Sequence, residues 1–204
     1  MPNEGQQLPY EGSQEQPRLI EKQTQWTQQL QRIEGLKDGL GKSIDEGIKE
    51  TVAAMQLLGI LTRQSCQGHL NWGEAAPWVR IDFPAEVHEL SRQHSELFDA
   101  FDKLNEGNED FQRAADEFHK VRREQKRLQA MELKKLTPFL EEFYAERNVP
   151  YDQRLVLDEH GELTNHGCFL QITEDDIQRG KNLYRYQAEM KAFTEFLKQK
   201  FFSQ

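Results

Sequence analysis

The 204-residue chain has two cysteines, Cys66 and Cys168, and each has a histidine within three positions. Cys66 and His69 stand in Cys-x-x-His spacing, and His166 and Cys168 form a His-x-Cys pair much later in the chain. Two thiolates and two imidazoles satisfy a tetrahedral zinc ion, so Cys66, His69, His166 and Cys168 are a candidate metal set if the fold brings them together. A second chemistry uses Cys66 as a nucleophile and His69 or His166 as its base, with amides near Gly68 facing an oxyanion. A third forms no covalent bond. Ser65, Gln67 and Asn71 offer neutral hydrogen bonds, Gly68 lets backbone approach a ligand closely, and Trp72 offers a stacking plane. Such a loop suits a polar small molecule or nucleotide, and the residue types leave open whether the chain is an enzyme. There is no Gly-rich dinucleotide fingerprint and no P-loop, which argues against ordinary nicotinamide or nucleoside-triphosphate chemistry.

These residues need elements to hold them. Ser43-Ile44-Asp45-Glu46 has the form of a capping box, and Ile44, Ile48, Val52, Met55 and Leu58 recur at three- or four-residue spacing up to Gly59. That pattern predicts an amphipathic helix over 43–58. The runs 60–66 and 78–83 read as two strands joined by the polar, Gly-rich 67–76, which places Ser65 to Trp72 at one rim. Arg154 to Leu157 and Cys168 to Ile172 read as a second hairpin, and 174–200 as a helix covering one sheet face.

Between the hairpins, Val87, Leu90, His94, Leu97, Phe101 and Leu104 form a narrow seam, continued after Asn105-Glu106-Gly107-Asn108 by Phe111, Phe118, Val121 and Leu128. The expectation is an antiparallel helical hairpin over about 86–148, inserted between the two β parts. The fold class is therefore α+β: a small antiparallel sheet from hairpins at about 60–83 and 154–172, packed by helices 43–58 and 174–200. Residues 1–17, poor in large apolar groups, read as a disordered tail, and 18–204 as one α+β domain with 86–149 as its insertion. A short helix over 18–36, with Trp26, Leu30 and Ile33 on one face, straps the core.

The formal net charge of -9 argues against whole-surface attraction to nucleic acid. Its distribution is uneven, however. Residues 86–119 carry ten acids against three bases, and 120–135 carry seven bases against two acids. Two readings stand: a solvated helix face, or Lys120, Arg123 and Arg127 tracking the phosphates of an RNA. The hairpin is equally a candidate for a protein partner or self-association. With no apolar run of membrane-spanning length and no basic-then-apolar leader at the start, no membrane role and a cytoplasmic location are expected. Two cysteines there are thiols or metal ligands rather than a disulfide framework.

The string Gly41-Lys42-Ser43-Ile44-Asp45-Glu46, followed by a helix, Thr62-Arg63-Gln64-Ser65-Cys66-Gln67-Gly68-His69-Leu70 and Pro77-Trp78-Val79, resembles the small methyltransferases of tRNA wybutosine synthesis. It also resembles uncharacterised bacterial proteins with a Ser-Cys-x-Gly-His motif. The likeness spans about residues 41–80; His69 replaces the family's arginine and Gln64 a serine. It implies that Ser65, Cys66 and Gly68 belong to a ligand-binding loop, with S-adenosylmethionine as methyl donor to a modified guanosine in RNA. The alternative from the residues alone is a non-enzymatic interaction protein built on the helical hairpin, with Cys66, His69, His166 and Cys168 structural or zinc-binding.

Overall fold

The structure is a computed structural model that describes residues 12–102, 109–170 and 175–204. In chain order it has α1 (Gly12–Glu34), α2 (Lys49–Leu57), β1 (Thr62–Cys66), β2 (Trp78–Ile81), α3 (Ala85–Phe101), α4 (Glu109–Tyr144), β3 (Leu155–Leu157), β4 (Glu162–Asn165) and α5 (Asp176–Ser203). The class is α+β. One antiparallel sheet runs in the order β1-β2-β4-β3, so the two hairpins meet through β2 and β4.

Register explains which residues enter the core. Ser65, Val79, Leu163 and Leu157 stand opposite one another across the four strands, and Cys66, Trp78, Thr164 and Val156 form the next row. Because side chains alternate along a strand, the Val79 row and the Trp78 row emerge on opposite faces. Val79 and Leu163 are fully buried, joined by Ile48, Val52 and Met55 near and within α2, Leu136 and Phe143 of α4, and Met190, Phe193 and Leu197 of α5. Helix α1 contributes Trp26 and Ile33, as its apolar face predicts. A buried hydrogen bond between the hydroxyls of Thr51 and Thr194, 2.7 Å, ties α2 to α5.

Several boundaries differ from the sequence reading. Helix α1 already runs from Gly12, within the segment expected as tail, and residues 1–11 lie outside those described. The expected capping box does not form. Ser43 pairs with Lys37 in an isolated bridge, because the Asp38 carboxylate gathers the amides of Leu40 and Lys42 at 2.8 Å each and folds 37–43 into a tight loop. The helix starts later, as a 3-10 turn at Glu46–Ile48, and Asp45 precedes it without capping it. Among the described residues the last strand is β4, and Cys168 to Leu170 lie in a 3-10 turn rather than a strand. Asp158 accepts from the amides of His160 and Glu162, and Gly161, with φ 85°, closes a tight turn, so pairing resumes at once. The His166 amide then donates to the Arg154 carbonyl, and His166–Leu170 coil into a 3-10 turn that carries Cys168. Residues 171–174 lie outside those described.

Strand β4 is buried along its whole length although three of its four residues are polar. Each has a partner. Glu162 pairs with Arg80 across the sheet, Thr164 donates to the Pro77 carbonyl at 3.0 Å, and Asn165 donates to the Gln153 carbonyl at 2.7 Å. These partners make a polar central strand stable in a dry setting, although Asn165 Oδ1 is buried without one among the described residues.

Helices α3 and α4 pack side by side in opposite directions: His94 stacks on Phe118 at 4.4 Å, and Gln125 donates to Ser91 at 2.9 Å. The expected link at 105–108 lies outside the described residues. The 36 residues of α4 extend about 54 Å. Leu136 and Phe143 root its later half in the core. Among the described residues, no helix is long and apolar enough to cross a membrane.

Phe193 is the hub where α5 meets α4, with its ring 5.1 Å from that of Phe143. Phe193→Ala is expected to remove about 3–5 kcal/mol of stability, read as a lower denaturation midpoint in guanidinium with an unchanged slope.

Candidate functional site

The chain leaves edge strand β1 at Cys66 and must turn at once under α5. Gly68 makes that turn with φ 83°, and a Cβ there would stand 2.7 Å from both the Ala76 carbonyl carbon and Leu183 Cδ1. Only glycine fits both the backbone angle and the space. Around this turn Gln67 is held on three sides. Its amide donates to Asp45 Oδ2 at 3.1 Å, its Oε1 accepts from the Gly47 amide at 2.9 Å, and its carbonyl accepts from Gln187 of α5 at 2.9 Å.

Held in this way, the loop brings three ligating side chains together. Asp45 Oδ2 lies 3.2 Å from His69 Nε2, and donor atoms of Asp45, Cys66 and His69 all fall within 4.8 Å of one another. The Gly68 amide points at Cys66 Sγ, 3.4 Å away. The His69 ring stacks on Trp72 with centroids 3.7 Å apart, and its amide donates to the Glu74 carbonyl at 2.9 Å. Lys42 Nζ stands 5.4 Å from the Trp72 ring centre.

Beside this cluster lies a cleft of about 650 Å³. Ser65, Cys66 and Trp72 of the expected loop line it, joined by Asp45, Trp78 and Lys42. Gln67, Gly68, His69 and Asn71 do not: Gln67 and Gly68 shape the loop, His69 sits behind Trp72, and Asn71 is exposed. The sequence reading missed Asp45 as a site residue. It treated that position as the inside of a cap, although Asp45 lies in the string that carries the family resemblance.

The four-residue zinc set is not assembled. Among the described residues only Asp45, Cys66 and His69 gather as potential ligands. Cys66 and Thr164 are separated by the whole of β2 in the same cross-strand row, roughly 10 Å between backbones. Cys168 Sγ lies against Thr164 Oγ1 at 3.7 Å, and the His166 ring packs on Tyr151 with centroids 4.3 Å apart. The second pair therefore sits two strands away from Cys66, toward the other edge of the sheet.

The thiols are not set up as nucleophiles. Burial pushes the Cys66 thiol above its ordinary pKa; the Gly68 N–H opposes this, and the Asp45 carboxylate adds to the rise. Burial raises Cys168 as well. On α4, two of the three cations proposed for phosphate already face acids one turn back. Arg127 meets Glu124 at 2.7 Å, Lys120 meets Glu117 at 3.6 Å, and Arg123 shares a surface groove with Asp110, Asp116 and Glu117.

No family model, curated protein or solved structure matches the chain. Fold and site together define an α+β protein with a Cys/His/Asp cluster at the mouth of a surface cleft.

Gly68→Ala is expected to destabilise by roughly 1–3 kcal/mol from backbone strain alone, with more from the clash with Ala76, visible as a drop in melting temperature. Native Cys66 is expected to react with iodoacetamide more slowly at pH 7 than a model thiol, its rate climbing only above the ordinary thiol range. Fast labelling at pH 7 would restore the nucleophile reading.

Proposed function

We propose that the cleft beside the Ser65–His69 loop binds a polar ligand with a planar ring, of nucleoside or nucleotide type. The observation that supports this most is the cleft itself. Its volume of about 650 Å³ falls inside the roughly 300–1,000 Å³ of small-molecule sites, and its wall combines two indoles with three cations, Lys37, Lys42 and Arg63, and three carboxylates, Asp38, Asp45 and Glu74. Indole faces stack on bases, and lysine and arginine near them suit a phosphate or carboxylate. Ser65 and Gln64 supply neutral hydrogen bonds from β1.

The resemblance of residues 41–80 to the wybutosine methyltransferases makes S-adenosylmethionine the first ligand to try and a modified base in RNA the first acceptor. S-adenosylmethionine carries both a planar adenine and a charged amino-acid end, which match the mixed wall. The methyltransferase reading stands on that resemblance, and the binding reading stands on the cleft.

The chain has three tryptophans. Trp26 is buried in the core, whereas Trp72 and Trp78 line the cleft. Titration with S-adenosylmethionine, adenosine and AMP is expected to quench indole fluorescence and release heat with at least one of them. Trp72→Ala is expected to weaken that binding by about tenfold, the lower part of the range for one stacked base. Silence from all three probes overturns the binding reading. Binding of adenosine or AMP with no heat from S-adenosylmethionine and no labelled methyl on bulk tRNA removes only the transferase.

A further inference from the structure

We infer that Asp45, Cys66 and His69 form a three-ligand site for a single zinc-type cation, with its fourth position open to the cleft. The inference rests on the donor set and its surroundings, independently of which organic ligand the cleft takes.

The spacing suits a metal. A tetrahedral zinc with bonds of about 2.0–2.3 Å sets its donors roughly 3.3–3.8 Å apart. Asp45 and His69 already sit at 3.2 Å, and none of the three donor pairs exceeds 4.8 Å, so about an ångström of closure completes the set. One sulfur, one imidazole nitrogen and one carboxylate oxygen match a borderline-soft ion. Magnesium and calcium prefer all-oxygen shells and are disfavoured here.

The groups behind the ligands are also in place. The Gly68 amide points at the Cys66 sulfur, the Gln67 amide fixes the Asp45 carboxylate, and Trp72 stacks against the His69 ring and restrains its tilt. Such backing orients ligands before the ion arrives and is a recurrent companion of real sites. The same arrangement holds a buried thiol beside a carboxylate, two groups that a shared cation would stabilise together. With a cation, the Cys66 thiol loses its proton to solvent and the thiolate becomes a ligand.

The open position follows from the cleft. Asp45 and Cys66 line it, whereas His69 supports the cluster from behind Trp72. Three protein ligands and one exchangeable position are the pattern of catalytic rather than purely structural zinc. Bound there, the ion would polarise an oxygen or activate a water facing the cleft.

The test uses the full chain, stripped with EDTA and titrated with cobalt(II). One equivalent is expected to bind and give a thiolate-to-cobalt charge-transfer band together with the intense visible bands of tetrahedral cobalt. Zinc is expected to displace the cobalt and erase both. Asp45→Asn, which keeps an oxygen for the Gln67 amide, and His69→Gln are each expected to weaken cobalt binding at least tenfold while the circular dichroism spectrum is retained. Cys168→Ser and His166→Gln are expected to bind as the unaltered chain does. Absence of the charge-transfer band at saturating cobalt overturns the site, and so does its loss in Cys168→Ser. If Asp45→Asn fails to fold, His69→Gln decides alone. Cobalt binding with silent nucleoside titrations leaves the metal site standing and the ligand reading overturned.

Discussion

The Asp45 carboxylate is the contact on which the geometry of the site depends. It accepts the Gln67 amide, 22 positions later in the chain, and faces His69, 24 positions later, thereby joining the segment before α2 to the loop after β1. Edge strands end in loops with little to hold them, and this one is held from both sides, by Asp45 and Gly47 on one flank and by Gln187 of α5 on the other. The positive φ of Gly68 is tolerable because glycine has no Cβ, and necessary because α5 and Ala76 press so closely. Rigidity here comes from hydrogen bonds to backbone, which specify position more narrowly than apolar contact does.

The sheet supports this arrangement through partners for most of its buried polar groups, with Asn165 Oδ1 and Arg80 Nε left over among the described residues. Strand β4 lies between β2 and β3 with Glu162, Thr164 and Asn165 buried, and each is matched to a cation or a carbonyl. An unmatched polar group in such a position costs about 1–3 kcal/mol, so the register of β2 with β4 is specified as strongly by polar pairing as by the Val79–Leu163 contact. That register also sets the separation of the cysteines. Cys66 lies at one edge of a cross-strand row and Cys168 lies against Thr164, two strands away.

The charge pattern of the helical hairpin reads differently in three dimensions than as a tally along the chain. Two of the bases of 120–127 sit one helical turn from acids, and Arg127 with Glu124 and Lys120 with Glu117 neutralise each other locally. Exposed pairs of this kind add little stability. Their effect is on the field, because a cation already facing a carboxylate has less charge to offer a phosphate. Around the cleft, Lys37, Lys42 and Arg63 are interspersed with Asp38, Asp45 and Glu74, and Lys42 lies over the Trp72 indole.

Much of the fold was legible in the sequence because its signal is local. The spacing of Val87, Leu90 and His94 marked the seam of α3, the spacing of Ile48, Val52 and Met55 marked the buried side of α2, and the long polar link between β1 and β2 placed Ser65 to Trp72 at a rim. Each pattern depends only on neighbours within one or two turns. What was misread depended on distant partners. The Cys168 to Ile172 run is more apolar than Glu162 to Asn165, yet among the described residues the latter forms the strand, because Asp158 closes the turn early and Arg80, Pro77 and Gln153 pair with its polar side chains. Ser43 had the form of a cap, but Asp38 folded its segment elsewhere. The sequence by itself determined which residues have chemistry and that Cys66 and His69 are neighbours. Only the tertiary structure decided that Asp45 is the third member and that His166 and Cys168 are not, because convergence depends on strand register and long-range hydrogen bonds that no periodicity encodes.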